Sequence, residues 1–191
     1  MYAIDPLPAE EFDAAVKGLA VLLADAVDDG ASVGFLTPFG VEEAAAWWRA
    51  QAPAVAAGRL LVWVARDESG VAGTVSLAPA AKPNSRHRAE IVKLMVHRDA
   101  RGRGLSRALL AAAERAALAA GVDLLMLDTE SGSTAEHVYL TGGWTRYGVV
   151  PDYAASPDGT LSACSFFYKR LTPPASQGAG DRVEVGEPSG R

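Results

Sequence analysis

Glycines and arginines suited to holding an anion gather around one turn, Arg98-Asp99-Ala100-Arg101-Gly102-Arg103-Gly104, which leads into a helical stretch opening near Leu105. A glycine-bearing turn feeding a helix N-terminus aims free backbone N–H groups and the positive end of the helix dipole at one point. Phosphate suits such a point. Gly102 and Gly104 permit close approach of backbone to ligand, and Ser106 is small enough to keep the first helical turn open. Arg101, Arg103 and Arg107 surround the same turn. The charge balance singles out the same place. The 191 residues carry 18 basic and 23 acidic side chains, a net of −5, yet residues 82–107 hold eight basic ones against Glu90 and Asp99 alone. That leaves the segment at +6 and the remainder at −11. A chain acidic everywhere else is repelled by extended polyanions, so nucleic acid and anionic membrane are disfavoured as partners, and a small anion held at one place is not.

Other classes are set aside by what is scarce. One cysteine, Cys164, forms no internal disulfide, and with His87, His97 and His137 scattered it matches no zinc spacing, so no metal is expected. No uninterrupted apolar run exceeds six residues, as in Leu60 to Ala65, far below the roughly 20 that span a bilayer. The start, MYAIDPLPAEEFD, has no basic and apolar leader pattern, which predicts a cytoplasmic protein. From Thr172 the chain is rich in Pro, Gly and Ser without apolar periodicity, which predicts one domain over 1–171 and a disordered tail over 172–191.

The elements that must position the turn follow from hydrophobic period. A short strand at Tyr2 to Ile4 precedes a helix opened by Pro8, with Phe12, Val16, Leu19, Leu22 and Leu23 at helical spacing until Gly30. A second helix carries Trp47 and Trp48 and is expected to end around Pro53 and Gly58. Arg59 to Arg66 and Val71 to Pro79 read as a hairpin across DESG, and a third strand runs from about Arg88 to Val96. The long helix after Gly104 presents Leu105, Ala108, Leu109, Ala112, Ala116 and Ala119 on one face and closes at Gly121. DLLMLD (123–128) is a buried strand, a short helix runs from Ser133 or Thr134 to Leu140, and strands near Trp144 to Val150 and Leu161 to Arg170 complete the chain. The result is an α+β layer with one parallel crossover, from the strand of Glu90 to that of Leu125.

Two classes use a glycine turn of this kind. A dinucleotide-binding oxidoreductase wants G-x-G-x-x-G, and here Arg107 stands in the third place, although Asp128 lies where a ribose-binding acid would be. Several antiparallel strands also precede the turn, which that fold does not have. The second class is carried by a resemblance. AEIVKLMVHRDARGRGLSRALLAAAERAALAAG resembles the acetyl-CoA-binding core of the GNAT superfamily of N-acetyltransferases, whose R/Q-x-x-G-x-G/A is filled by Arg101, Gly104 and Ser106, with serine for the final small residue. Tyr139-Leu140-Thr141-Gly142-Gly143-Trp144 resembles the same family's Y-x-x-x-G-F/W element. KLMV, LLMLDT, AEHVYL and the ending GVVPDYA…FFYK further resemble the tabtoxin-resistance acetyltransferase group, which acts on an amino-acid-like toxin.

The resemblance implies a GNAT-like, mostly antiparallel twisted sheet of about seven strands flanked by helices, with a central splayed parallel pair. It implies direct transfer from acetyl-CoA to a primary amine of a small molecule, by a monomer or homodimer. The pantetheine arm would lie along Leu94, Met95 and Val96, and the phosphates on the turn of Arg101 to Arg107, including Leu105. A lysine-like amine has a pKa of about 10.4 and an α-amino group about 8, so a proton must leave, and Glu90 or Asp128 could take it directly or through water. Each has a plainer reading. Glu90 could pair with Arg88 or Lys93 on an exposed strand, and Asp128 could be satisfied by the turn N–H groups of Glu130 or Ser131. Tyr139 stands at the family's position for the acid that protonates the leaving thiolate. Phe35, Thr129 and Tyr153 would border the acceptor, in a groove made negative by Glu90, Asp128, Glu130 and Asp152. Cys164 is expected to be buried and inert. A catalytically silent acyl-CoA-binding protein of the same fold is the other open reading.

Overall fold

In the computed structural model, which describes residues 2–172, the apolar periods become seven strands and four helices. The N-terminal half supplies one layer. After β1 (Ala3–Pro6), α1 (Phe12–Asp28) buries Phe12, Val16, Leu19, Leu22 and Leu23, the stripe expected from the sequence. α2 (Val41–Ala56) packs across it, with Trp48 fully buried and its indole N–H donating to the Leu19 carbonyl at 3.1 Å. The helix ends at Ala56, between Pro53 and Gly58 as expected. Pro53 sits in the last turn, and Arg49, whose carbonyl loses its intrahelical donor, is exposed, so water can replace the missing bond.

β2 (Leu61–Asp67), β3 (Gly70–Pro79) and β4 (Arg88–Val96) form an antiparallel meander. α3 (Leu105–Ala119) then crosses to β5 (Leu124–Glu130), and α4 (Thr134–Thr141) leads to β6 (Thr145–Ala155) and β7 (Leu161–Arg170). The sheet order is β1-β2-β3-β4-β5-β7-β6, with β4–β5 parallel and every other neighbour antiparallel. One face packs on α1 and α2 through Val62 and Val64, and the other on α3 through Val75, Leu77, Leu125, Leu127 and Phe167. The expected element order and sheet class are those observed. The expected tail lies, apart from Thr172, outside the described residues.

One irregularity shapes the centre of the sheet. β4 and β5 pair only where Arg88 to Glu90 meet Leu124 to Met126, and beyond that they part. On the other side of β4, Thr74 pairs with Met95 and Ser76 with Val92, so two steps along β3 match three along β4. The extra residue is accommodated at Lys93, whose φ of 53° is rare for a side-chain-bearing residue. Such a bulge bends its strand and raises the local twist. It turns Leu94 to Val96 away from β5.

Candidate active site

Gly102 and Gly104 both have φ of 74°, a left-handed conformation that an L side chain resists. With Gly104 as N-cap of α3, the backbone N–H groups from Gly102 through Arg107 find no acceptor among the described residues. Six free donors in a row, beside the positive end of a 15-residue helix, form an anion cradle. The residues present therefore fit a polyphosphate such as that of CoA. Leu105 is buried and offers only its amide, while Ser106 is half-buried on the first turn.

The arginines are more committed than the sequence implies. Arg101 donates to Asp29, the C-cap residue of α1, at 2.5 Å and to the Val96 carbonyl at 3.3 Å, and it holds the Asp29 carboxyl below its ordinary pKa. Arg103 donates to the Tyr2 hydroxyl at 2.9 Å and Arg107 to Thr141 Oγ1 at 3.0 Å. Arg98 clasps Asp25 and, at 2.9 Å, Asp28. The acidic end of α1 thus neutralises part of the basic segment and pins the turn to the sheet. These partners, about 70 residues earlier in the chain, left no local signal.

Asp128 is the electrostatic centre of the second half of the site. Its charge raises the pKa of Tyr139, of Cys164 and of Glu90; the pKa of Lys93 is lowered by burial, and Asp128 opposes that fall in part. Glu90 on β4 and Tyr139 on α4 thus both feel the charge of Asp128 on β5. For Glu90 the larger cause of the rise is loss of hydration, then repulsion by Asp128, with Arg88 opposing. No ion pair forms between Glu90 and Arg88 or Lys93, and the Ser131 amide donates to the Ala163 carbonyl at 2.9 Å and not to Asp128. Both carboxylates are exposed.

Tyr139 is held in place by its helix and by rings. Ser133 caps α4 by accepting from the Glu136 amide at 3.1 Å, and Glu136 accepts from the Gly132 amide at 2.6 Å. The Tyr139 ring is 5% exposed and packs against Trp144 and Phe167. Burial first, and Asp128 second, drive its pKa well above that of a free phenol. It is thus a weaker acid than the ordinary tyrosine the sequence suggests, but a proton is always on it. Cys164 is buried as expected, and its thiol, pushed up to about 12, lies 3.3 Å from Asp128 Oδ2 and 3.2 Å from the Thr129 carbonyl.

The scan of the sequence against family models decides what these parts belong to. The model described as the acetyltransferase (GNAT) family matches residues 25–142. The chain belongs to the GNAT family. It is an acyltransferase of class EC 2.3.1.-, with acetyl-CoA as co-substrate, and the dinucleotide reading falls away. Solved structures show the same fold. An N-acetyltransferase from Staphylococcus aureus is 18% identical, with 90% of this chain and 99% of that one covered at a TM-score of 0.71. For yncA from Salmonella typhimurium, solved with its cofactor acetyl-CoA, the values are 20%, 93%, 98% and 0.70. For a ribosomal-protein-alanine N-acetyltransferase from Brucella melitensis they are 24%, 88%, 99% and 0.69.

Within this GNAT fold two loops far apart in sequence meet. Thr37 donates through its amide at 2.8 Å and its hydroxyl at 2.9 Å to the Pro157 carbonyl, so the α1–α2 loop meets the β6–β7 turn. Phe35 stacks on Phe39 with centroids 4.3 Å apart and meets Trp47 edge-on at 5.6 Å. Tyr153, exposed on β6, meets Phe166 edge-on at 5.0 Å, and Phe166 is the register partner of Asp128. Thr129 is half-buried, its hydroxyl 3.5 Å from Ser133 Oγ. Lys93 lies near the rings of Phe35 and Trp47 and is within the field of Asp128. Among the described residues no helix is long and apolar enough to cross a membrane.

Proposed function

We propose that the protein is a cytoplasmic N-acetyltransferase, a single domain over residues 1–171, that transfers the acetyl group of acetyl-CoA directly to a primary amine of a small amino-acid-like molecule, antibiotic or toxin. The observation that carries this is the meeting of two features at one splayed strand pair: free amides at Gly102 to Arg107, and a carboxylate pair with a buried tyrosine around Asp128. Resemblance to the tabtoxin-resistance group, through KLMV, LLMLDT and AEHVYL, supports an amino-acid-like acceptor.

Acetyl-CoA supplies the activated acyl group as a thioester. The amides of Gly102 to Arg107 hold its phosphates, and Leu94 to Val96, free of β5, offer main-chain groups to its extended arm. An N–H there would polarise the acyl carbonyl. Glu90, with Asp128, takes the proton of the incoming ammonium. A carboxylate with a raised pKa is the better base, and Asp128 raises that of Glu90. Tyr139 donates a hydrogen bond to the departing sulfur. Its high pKa keeps the phenol protonated throughout the working range.

A thiol-release screen with amino acids, aminoglycosides, polyamines and peptide N-termini tests this reading. Release with an amino-acid-like amine is expected, whereas CoA binding without release from any amine would make the protein a silent binder. With the amine so found, Tyr139→Phe is expected to lower turnover at least about tenfold at unchanged acetyl-CoA affinity. Unchanged turnover would remove Tyr139 from the mechanism.

A further inference from the structure

We propose that Lys93 sets the charge of the acceptor groove and pairs with an anionic group of the substrate, so that the acceptor is a zwitterion: a primary amine that carries a carboxylate. This rests on the amine transfer proposed above and narrows it.

Three observations point to this role. Lys93 is the left-handed residue of the β4 bulge, so the irregularity that opens the sheet also redirects this side chain. Its Nζ donates to the Val33 carbonyl at 2.8 Å and lies 5.1 Å from the Trp47 ring centroid and 5.7 Å from that of Phe35. The carbonyl and the two rings fix the ammonium in place within the groove. An ammonium has three N–H donors, and only one is used on Val33. No carboxylate among the described residues forms an ion pair with it.

A half-buried ammonium with two unused donors, beside an acceptor-binding surface, is a receptor for an anion. The carboxylates Glu90 and Asp128 take the amine end of the substrate, and Lys93, three residues beyond Glu90 on the same strand, takes the acid end. The same charge repels a second cation. Polyamines and aminoglycosides therefore lose twice: they bring no partner for Lys93, and they bring positive charge against it.

Matched pairs decide it: leucine and leucinamide, phenylalanine and phenylalaninamide, methionine and methioninamide, each assayed for thiol release with acetyl-CoA. In the wild type, kcat/KM for the preferred acid is expected to exceed that of its amide at least about tenfold, and Lys93→Met, which keeps length and apolar packing, to bring the ratio near one. Lys93→Arg, which keeps the charge, should retain the preference for the acid. A wild type indifferent to the carboxylate overturns the inference. So does a Lys93→Met variant that loses acid and amide activity in equal proportion, since that marks a strut between β4 and the Val33 carbonyl. Calorimetric titration of the CoA-loaded protein with the same pairs reads the point without turnover. Acid binding that disappears in Lys93→Met supports the proposal, and acids that fail to bind the wild type, or bind the variant equally, overturn it. Absence of thiol release with every amine overturns the proposed function instead.

Discussion

Gly104→Val is expected to abolish measurable acetyl-CoA binding in a calorimetric titration while the protein still melts cooperatively. At φ of 74° a non-glycine residue costs about 1–2 kcal/mol, more for a β-branched one, so the turn relaxes toward a conformation in which its amides no longer converge. In the free protein a Cβ at Gly104 meets no atom within 4 Å, so the fold has room for the new side chain. The space it enters lies beside the six free amides, where a phosphate would sit. Loss of affinity with an intact melting transition therefore reports the cradle and not the core. Gly104→Ala, with less bulk at the same φ, should fall between. Binding by the valine variant within tenfold of the wild type would sink the proposed phosphate turn.

Asp128→Asn is expected to lower turnover about a hundredfold, within the range ordinarily lost with a general base, and to move the acidic limb of the pH–rate profile. The sign follows from Glu90. Activity needs Glu90 deprotonated, and its folded pKa is raised, so rate is lost as pH falls through a value above the usual glutamate range. Removing the charge of Asp128 removes one of the two causes of that rise, and the limb should shift to lower pH. The substitution also takes an oxygen from the Cys164 contact at 3.3 Å, but Thr129 still offers its carbonyl at 3.2 Å, so the thiol is not orphaned. Turnover within threefold of the wild type together with a limb that stays put would show that Asp128 neither takes the proton nor tunes the group that does.

Much of the positioning was legible because it is written in neighbouring residues. The helical stripe of α1, the glycine-flanked start of α3, the continuous apolar run of β5 and the Ser133 cap of α4 are each set by contacts within a few turns of chain. The sheet class followed from the resemblance, and the motif residues Arg101, Gly104, Ser106 and Tyr139 all fall on the elements expected. Pro53 and Gly58 bracket the observed end of α2 at Ala56, because local sterics at Pro53 disfavour further helix without forbidding a last turn that water can complete.

The amino-acid sequence by itself determined the family, the glycine turn and the identities of the groups that could move a proton, since these depend on residue type and short spacing. Tertiary structure alone decided what those groups face. Asp29 is 72 residues from Arg101, Val33 is 60 from Lys93, and Thr37 is 120 from Pro157. Contacts across such separations leave no periodicity to read. They nonetheless determine which arginines are already paired, and they hold the Lys93 ammonium against Val33, Phe35 and Trp47. A charge is felt through space, so its effect is decided by the fold and not by its neighbours in the chain.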